Sequence, residues 1–89
     1  MKTSTTLNFY GAIDIFSASD YQKDIDKIEK NGTIILDLQQ VTYMCSAFVG
    51  FLLRFKQLTD REGGVLIIKP SIIITKLFTQ LGIVEYFEN

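Results

Sequence analysis

The feature that most constrains the fold is the short apolar segment from Thr33 to Leu38, which lies between two amphipathic segments. A nearly continuous run of β-branched and aliphatic residues is typical of a strand covered on both faces in a parallel sheet. A second such run extends from Val65 to Lys69, and the segment from Lys2 to Tyr10 alternates apolar and polar residues up to Gly11. We therefore predict strands at these segments, with Thr33 to Leu38 at the centre of the sheet.

The segments between these strands have helical periodicity. From Ser17 or Ser19 to Lys30, the residues Tyr21, Ile25 and Ile28 share one face, and Asn31-Gly32 predicts the left-handed end of that helix. A linker is predicted from Gln39 to Cys45.

The second and third helices have equally clear limits. The stretch from Ser46 to Arg61 carries an apolar stripe, and Ser46 is a plausible N-cap. Pro70-Ser71 opens the last helix, Gly82 closes it, and its predicted buried face is Ile74, Leu77, Phe78 and Leu81. We predict a single α/β domain over residues 1–89, in βαβαβα order, with a mostly parallel or mixed sheet of about four strands.

Composition limits the function. The chain has 89 residues, a net charge of −1, no histidine and one cysteine. This charge does not favour nucleic-acid binding, and the missing histidine removes the commonest acid, base and metal ligand, so we expect no enzyme, cofactor or metal site. A lone thiol fits a reducing cytoplasm, and neither a signal-peptide pattern nor a membrane-spanning apolar run is present in the sequence, so we expect a cytoplasmic protein that does not contact membrane.

Candidate chemistry is concentrated where the predicted strands end, because sites in open α/β sheets form beyond the carboxyl ends of strands. Those ends hold Gly11 to Asp14, Gln39 to Ser46 and Lys69 to Ser71, which we expect to be neighbours. Ser46 starts a helix, where free N–H groups and the helix dipole favour an added phosphate. The alternative is that Ser46 only caps the helix. Cys45 is interpreted as a small apolar residue in preference to a reactive thiol.

The arrangement resembles the STAS domain, the fold of the bacterial anti-sigma factor antagonists. Four groups of segments carry the resemblance: Gly11 to Asp14; Ile34 to Leu38 followed by Val41 to Met44; Ser46 to Leu58; and Lys69 to Ser71 with Leu81 to Ile83 and Tyr86 to Glu88. The resemblance extends from about Phe9 to the end of the chain.

The resemblance implies that Ser46 is phosphorylated by a partner serine kinase that is itself an anti-sigma factor, and that the unmodified form binds this partner. It also implies a partner-facing surface that comprises Asp14, Cys45, Ala47, Phe48 and Gly50, and a possible phosphatase partner. The chain departs from the family's Asp-Ser-Ser/Thr-Gly-Leu-Gly sequence, since Cys45 replaces the acidic residue and Phe48 replaces the first glycine. The helical stripe that Phe48 shares with Phe51 and Phe55 favours a core position for Phe48. The alternative is that Phe48, which begins its helix beside Ser46, is partly exposed.

The sequence and the resemblance support two hypotheses about the function. The first is a partner-switching regulator, either monomeric or weakly dimeric, that is controlled by phosphorylation of Ser46. The second is a non-phosphorylated STAS scaffold or small-ligand sensor within a signalling complex, with Cys45 and Phe48 adapted to a constant partner or a small apolar ligand.

Overall fold

The structure, a computed structural model, describes residues 4–87. The strands are β1 (Ser4–Ile13), β2 (Thr33–Met44) and β3 (Val65–Pro70); the helices are α1 (Ile15–Asp26), α2 (Ser46–Arg61) and α3 (Ile72–Leu81), followed by a 3-10 turn (Val84–Phe87). This order confirms the βαβαβα prediction. Within residues 4–87, no helix has the length and apolar character needed to cross a membrane.

The strands form one sheet in the order β1-β2-β3, and both pairings are parallel. The central position of β2 confirms the prediction from its apolar sequence. Residues 4–87 contain three strands, against the expected number of about four. Connections between parallel strands are right-handed as a rule, and here the strands follow one another in sequence order, so α1 and α2 are expected on the same face of the sheet. The two helices do contact each other, in agreement with this arrangement.

The strands extend further than the sequence pattern predicted. β2 continues from Leu38 to Met44, so the predicted linker from Gln39 is wrong, and β1 continues past Gly11 to Ile13. β2 contains two more residues than β1 over the paired stretch, and the register shifts lie between Asn8 and Tyr10 and at Gly11. Gly11 has a φ of 69°, which a glycine adopts without strain at such an irregularity.

Helix boundaries follow the capping groups. α1 begins at Ile15, not at Ser17 or Ser19, because Asp14 caps it; it ends at Asp26, so the predicted end at Asn31-Gly32 is also wrong. The predicted bounds of α2 are confirmed, although its N-cap is Cys45 and Ser46 is its first helical residue. Gly82 ends α3 in the left-handed conformation with a φ of 70°, as predicted.

The core lies between the sheet and its helices. Alternate residues of β2, which are Ile34, Leu36 and Leu38, are buried on the face of the sheet that the helices cover. Opposite them, Ile74 and Phe78 of α3 are buried as predicted, whereas Leu81 is 52% exposed and does not belong to the core. The apolar face predicted for the first helix is confirmed in part, since Ile25 is buried and Tyr21 and Ile28 are half-buried.

Candidate functional site

The candidate site lies where β1 and β2 end side by side. Ile13 pairs with Met44, and the Cys45 amide donates a hydrogen bond to the Ile13 carbonyl over 2.9 Å. Asp14 and Cys45 therefore leave neighbouring strands at the same edge of the sheet, about 5 Å apart in the strand-to-strand direction. Each is the N-cap of the helix that follows, so the starts of α1 and α2 are adjacent.

Ser46 is exposed at the first position of α2. Its hydroxyl makes no hydrogen bond to any residue from 4 to 87, and the side chain of Cys45 does not cap the helix. The amides of Phe48 and Val49 bond to the Cys45 carbonyl, which leaves the Ser46 and Ala47 amides without an acceptor in the described chain. With no acidic residue in the first turn, this helix end keeps its positive dipole charge uncompensated.

Asp14 caps α1 and stays available to solvent. Its Oδ1 accepts hydrogen bonds from the amides of Phe16 (3.0 Å) and Ser17 (2.9 Å) and from the Ser17 hydroxyl (3.1 Å). The hydrogen bond from the Ser17 N–H lowers the pKa of Asp14 most, and the hydrogen bonds from the Ser17 hydroxyl and the Phe16 N–H lower it further. The carboxylate is consequently ionised at neutral pH, and its second oxygen has no hydrogen-bond partner within the described residues.

Phe48 lies in the core, as its helical stripe predicted, so it is not part of the partner-facing surface that the resemblance implied. Its side chain is fully buried, and its ring centroid lies 6.2 Å from that of Phe9, 6.4 Å from that of Tyr21 and 5.9 Å from that of Phe51. The ring points inward because this position of α2 faces the sheet and α1. A bulky residue at this position therefore fills the core and does not obstruct the approach to Ser46.

The other three predicted partner-facing residues lie around Ser46. Ala47 is exposed, whereas Cys45 is half-buried and packs against the core. Gly50 is half-buried one turn along α2, and a Cβ built there would lie 3.5 Å from an Nη1 atom of Arg54, which is ordinary contact. Gly50 therefore leaves α2 without a side chain at this position, although the surrounding structure has room for one.

The third loop does not reach Ser46. β3 ends at Pro70, which pairs with Leu38, while β2 continues for six more residues. The Ser71 hydroxyl caps α3 at the Ile74 amide (3.1 Å) and donates to the Val41 carbonyl (2.8 Å). The segment from Lys69 to Ser71 therefore does neighbour the segment from Gln39 to Ser46, as expected, but the contact is at Val41, five residues before Ser46. α3 packs beside the extended part of β2.

Several exposed apolar residues near this edge were missed by the sequence reasoning. Phe16 is 82% exposed and Ile15 is 64% exposed at the start of α1, and Tyr43 is 55% exposed just before Cys45. A groove of about 290 Å³ lies between β2 and α3 and includes Tyr43, Met44 and Leu77 in its lining. One signal was present in the sequence, since Ile15 and Phe16 directly follow the conspicuous Asp14.

These features define a small α/β domain in which two adjacent helix starts carry exposed apolar residues and the Ser46 hydroxyl, which makes no hydrogen bond to residues 4–87. The family model of the STAS domain matches residues 2–89. The chain belongs to the STAS domain family, as the resemblance implied.

Solved structures agree with this fold. The crystal structure of a sulfate transporter family protein from Wolinella succinogenes is similar with a TM-score of 0.78 and 17% identity, covering 96% of this chain and 71% of that chain. The STAS domain of a SulP transporter from Vibrio cholerae is similar with a TM-score of 0.66 and 17% identity, covering 96% of this chain and 68% of that chain.

Proposed function

We propose that this domain is a protein-interaction switch, in the manner of an anti-sigma factor antagonist, that is turned off by phosphorylation of Ser46. Its partner is a cytoplasmic serine kinase of the anti-sigma type, with a phosphatase to reverse the modification, and the domain itself is not an enzyme. The observation that carries the proposal is the exposed Ser46 hydroxyl, free of hydrogen bonds to residues 4–87, at the uncompensated N-terminus of α2.

The chemical step is a phosphoryl transfer. The Ser46 Oγ attacks the γ-phosphorus of ATP and gives its proton to a base of the kinase. The bond between the γ-phosphorus and the oxygen that bridges it to the β-phosphorus breaks, and ADP leaves. The product carries about −1.5 to −2 charges at neutral pH. The backbone N–H groups of Ser46 and Ala47 are free to donate hydrogen bonds to this phosphate without movement of the helix, so no change of fold is needed.

Phosphorylation acts on binding through desolvation. The partner must cover Ser46 together with exposed apolar residues at the rim, Phe16 and Tyr43 among them, and a phosphate beneath such a contact has to lose its water. If this costs about 3 kcal/mol, affinity falls roughly a hundredfold.

A kinase assay with a matched serine tests the modification. Ser4 is also exposed, but it lies at the opposite end of β1, about 30 Å along the strand from Ile13. We expect incubation with the kinase and ATP to add one phosphate to Ser46 and none to Ser4, as measured by mass spectrometry of peptides. Absence of phosphate on Ser46 would remove the switch.

Calorimetry with the same kinase tests the effect on binding. We expect Ser46→Asp to weaken binding far more than Ser46→Ala, with the phosphorylated protein weaker still, while Ser4→Asp binds like the unaltered protein. Equal affinities of Ser46→Asp and Ser46→Ala would contradict the proposed switch even if phosphate were found.

A specific set of observations favours a second candidate, a STAS scaffold or ligand sensor that is not phosphorylated. The apolar groove beside Tyr43 offers space for a small apolar ligand, and Cys45 supplies no carboxylate before Ser46. The similar domains of sulfate transporter proteins also support a role as a module attached to a larger assembly. ATP-independent association in a pull-down, unchanged by Ser46→Asp, is the expected result for this candidate.

A further inference from the structure

The outer edge of β1 is an unpaired strand edge. β1 is the first strand of the order β1-β2-β3, and within residues 4–87 it pairs with β2 only. Alternate residues of a strand direct their backbone N–H and C=O groups to opposite sides. About half of the 10 residues of β1 therefore direct these groups away from the sheet.

The two edges of this sheet differ in how they are protected. β3 has 6 residues, includes Lys69 and Pro70, and is contacted by the 3-10 turn after α3. Lysine, proline, short length and coverage are the devices that keep edge strands from pairing. β1 (Ser4–Ile13) has neither a charge nor a proline, and its ladder with β2 is regular from Ser4 to Asn8, before the register shifts that begin after Asn8. The β1 edge is therefore open to another strand.

The packing around β1 is also incomplete on the helical face. Thr5 and Leu7 pair with Ile34 and Leu36 and point to the same face of the sheet. The two β2 residues are buried, whereas Thr5 and Leu7 are only half-buried, because no strand among residues 4–87 lies beyond β1. A strand added at this edge would cover the remaining surface of Leu7.

We propose that the β1 edge binds the β1 edge of a second copy of this chain, so that two antiparallel β1 strands join the two sheets into one of six strands. Antiparallel pairing of a strand with itself is two-fold symmetric, as isologous dimers require. Because β1 carries no charge, no cross-strand pair in any register opposes like charges. The net charge of −1 adds little repulsion between copies.

The expected dimer is weak. A single strand pair is a contact below the roughly 1,200 to 2,000 Å² that stable complexes bury, so we expect the two copies to associate weakly. The edge lies on the side of β1 away from β2, and hence away from Ser46. Association is therefore independent of the proposed phosphorylation.

Sedimentation equilibrium of the full chain in reducing buffer, from about 5 to 500 µM, tests the proposal. The apparent mass is expected to rise from 10.1 kDa toward twice that value. Thr6→Lys/Asn8→Lys places charges on two exposed β1 positions and is expected to weaken association at least tenfold. Val65→Lys, on a 41% exposed position of β3, is the matched control and is expected to associate like the unaltered chain.

Hydrogen exchange of the unaltered chain gives a readout that needs no variant. Amides in residues 4–13 are expected to exchange more slowly at high protein concentration, with no comparable change in β3. A constant mass of 10.1 kDa at all concentrations would overturn the proposal. It would equally be overturned by a dimer that Val65→Lys disrupts and Thr6→Lys/Asn8→Lys leaves intact, since such a dimer uses another surface.

Discussion

Replacing Ser46 with aspartate is expected to stabilise the free domain while it weakens partner binding. Ser46 is the first residue of α2, its helix end has no side-chain cap, and the first turn contains no acidic residue. A carboxylate there interacts with the free amides and with the helix dipole, which contributes about 0.3 to 1 kcal/mol at an exposed position.

This free energy converts to a measurable shift in Tm. For 89 residues the entropy of unfolding at the Tm is about 0.19 kcal/mol per kelvin, so Ser46→Asp should raise the Tm by about 2 to 5 °C. Ser46→Asn is the matched control, because it has a similar shape and helix propensity but no charge. Thermal unfolding followed by circular dichroism measures both variants.

Salt dependence identifies the cause of the shift. In about 1 M salt the screening length falls to about 3 Å, so the advantage of Ser46→Asp over Ser46→Asn should shrink markedly. A Tm of Ser46→Asp equal to or below that of Ser46→Asn at low salt would refute the reasoning, because it would mean that the start of α2 is not an open positive site.

Three further predictions test the local structure. Hydrogen bonds lower the pKa of Asp14 below its ordinary value of 3.8, so its charged form stabilises the fold above pH 3.8. The free energy of unfolding should therefore exceed that of Asp14→Asn at neutral pH, and this difference should vanish as the pH falls below 3.8 through the lowered pKa. A difference that persists in acid would contradict the stabilising role of the charge. Gly64→Ala would place a Cβ against the Lys30 carbonyl oxygen and should cost about 3 kcal/mol in urea unfolding, whereas Gly50→Ala, which has room, should stabilise by up to about 1 kcal/mol; similar effects would disprove the close approach. Ser71→Ala removes both the α3 cap and a bond to a β2 carbonyl and should cost about 2 kcal/mol by the same assay, a loss under 0.5 kcal/mol being incompatible with these bonds.

Much of the fold could be predicted because it depends on local periodicity and on backbone conformation. The apolar run from Thr33 to Leu38 predicted the central strand, the stripe in Ser46–Arg61 predicted α2 with its bounds, and Gly82 predicted the end of α3. Each of these signals lies within one segment, so no knowledge of distant contacts was needed. The position of Ser46 at the start of a helix followed in the same way.

The tertiary structure decided what depends on contacts between segments. β2 continues to Met44 because β1 pairs with it, through two register shifts, as far as Ile13, although Gln39 and Gln40 interrupt the apolar run after Leu38. Phe48 is buried because Phe9 and Tyr21, from two other elements, surround its ring. The sequence by itself therefore determined which segments are helices and strands and which hydroxyl begins α2, because backbone propensity and periodicity act locally. Only packing decided which neighbours of that hydroxyl face the solvent, because burial is a property of the assembled layers.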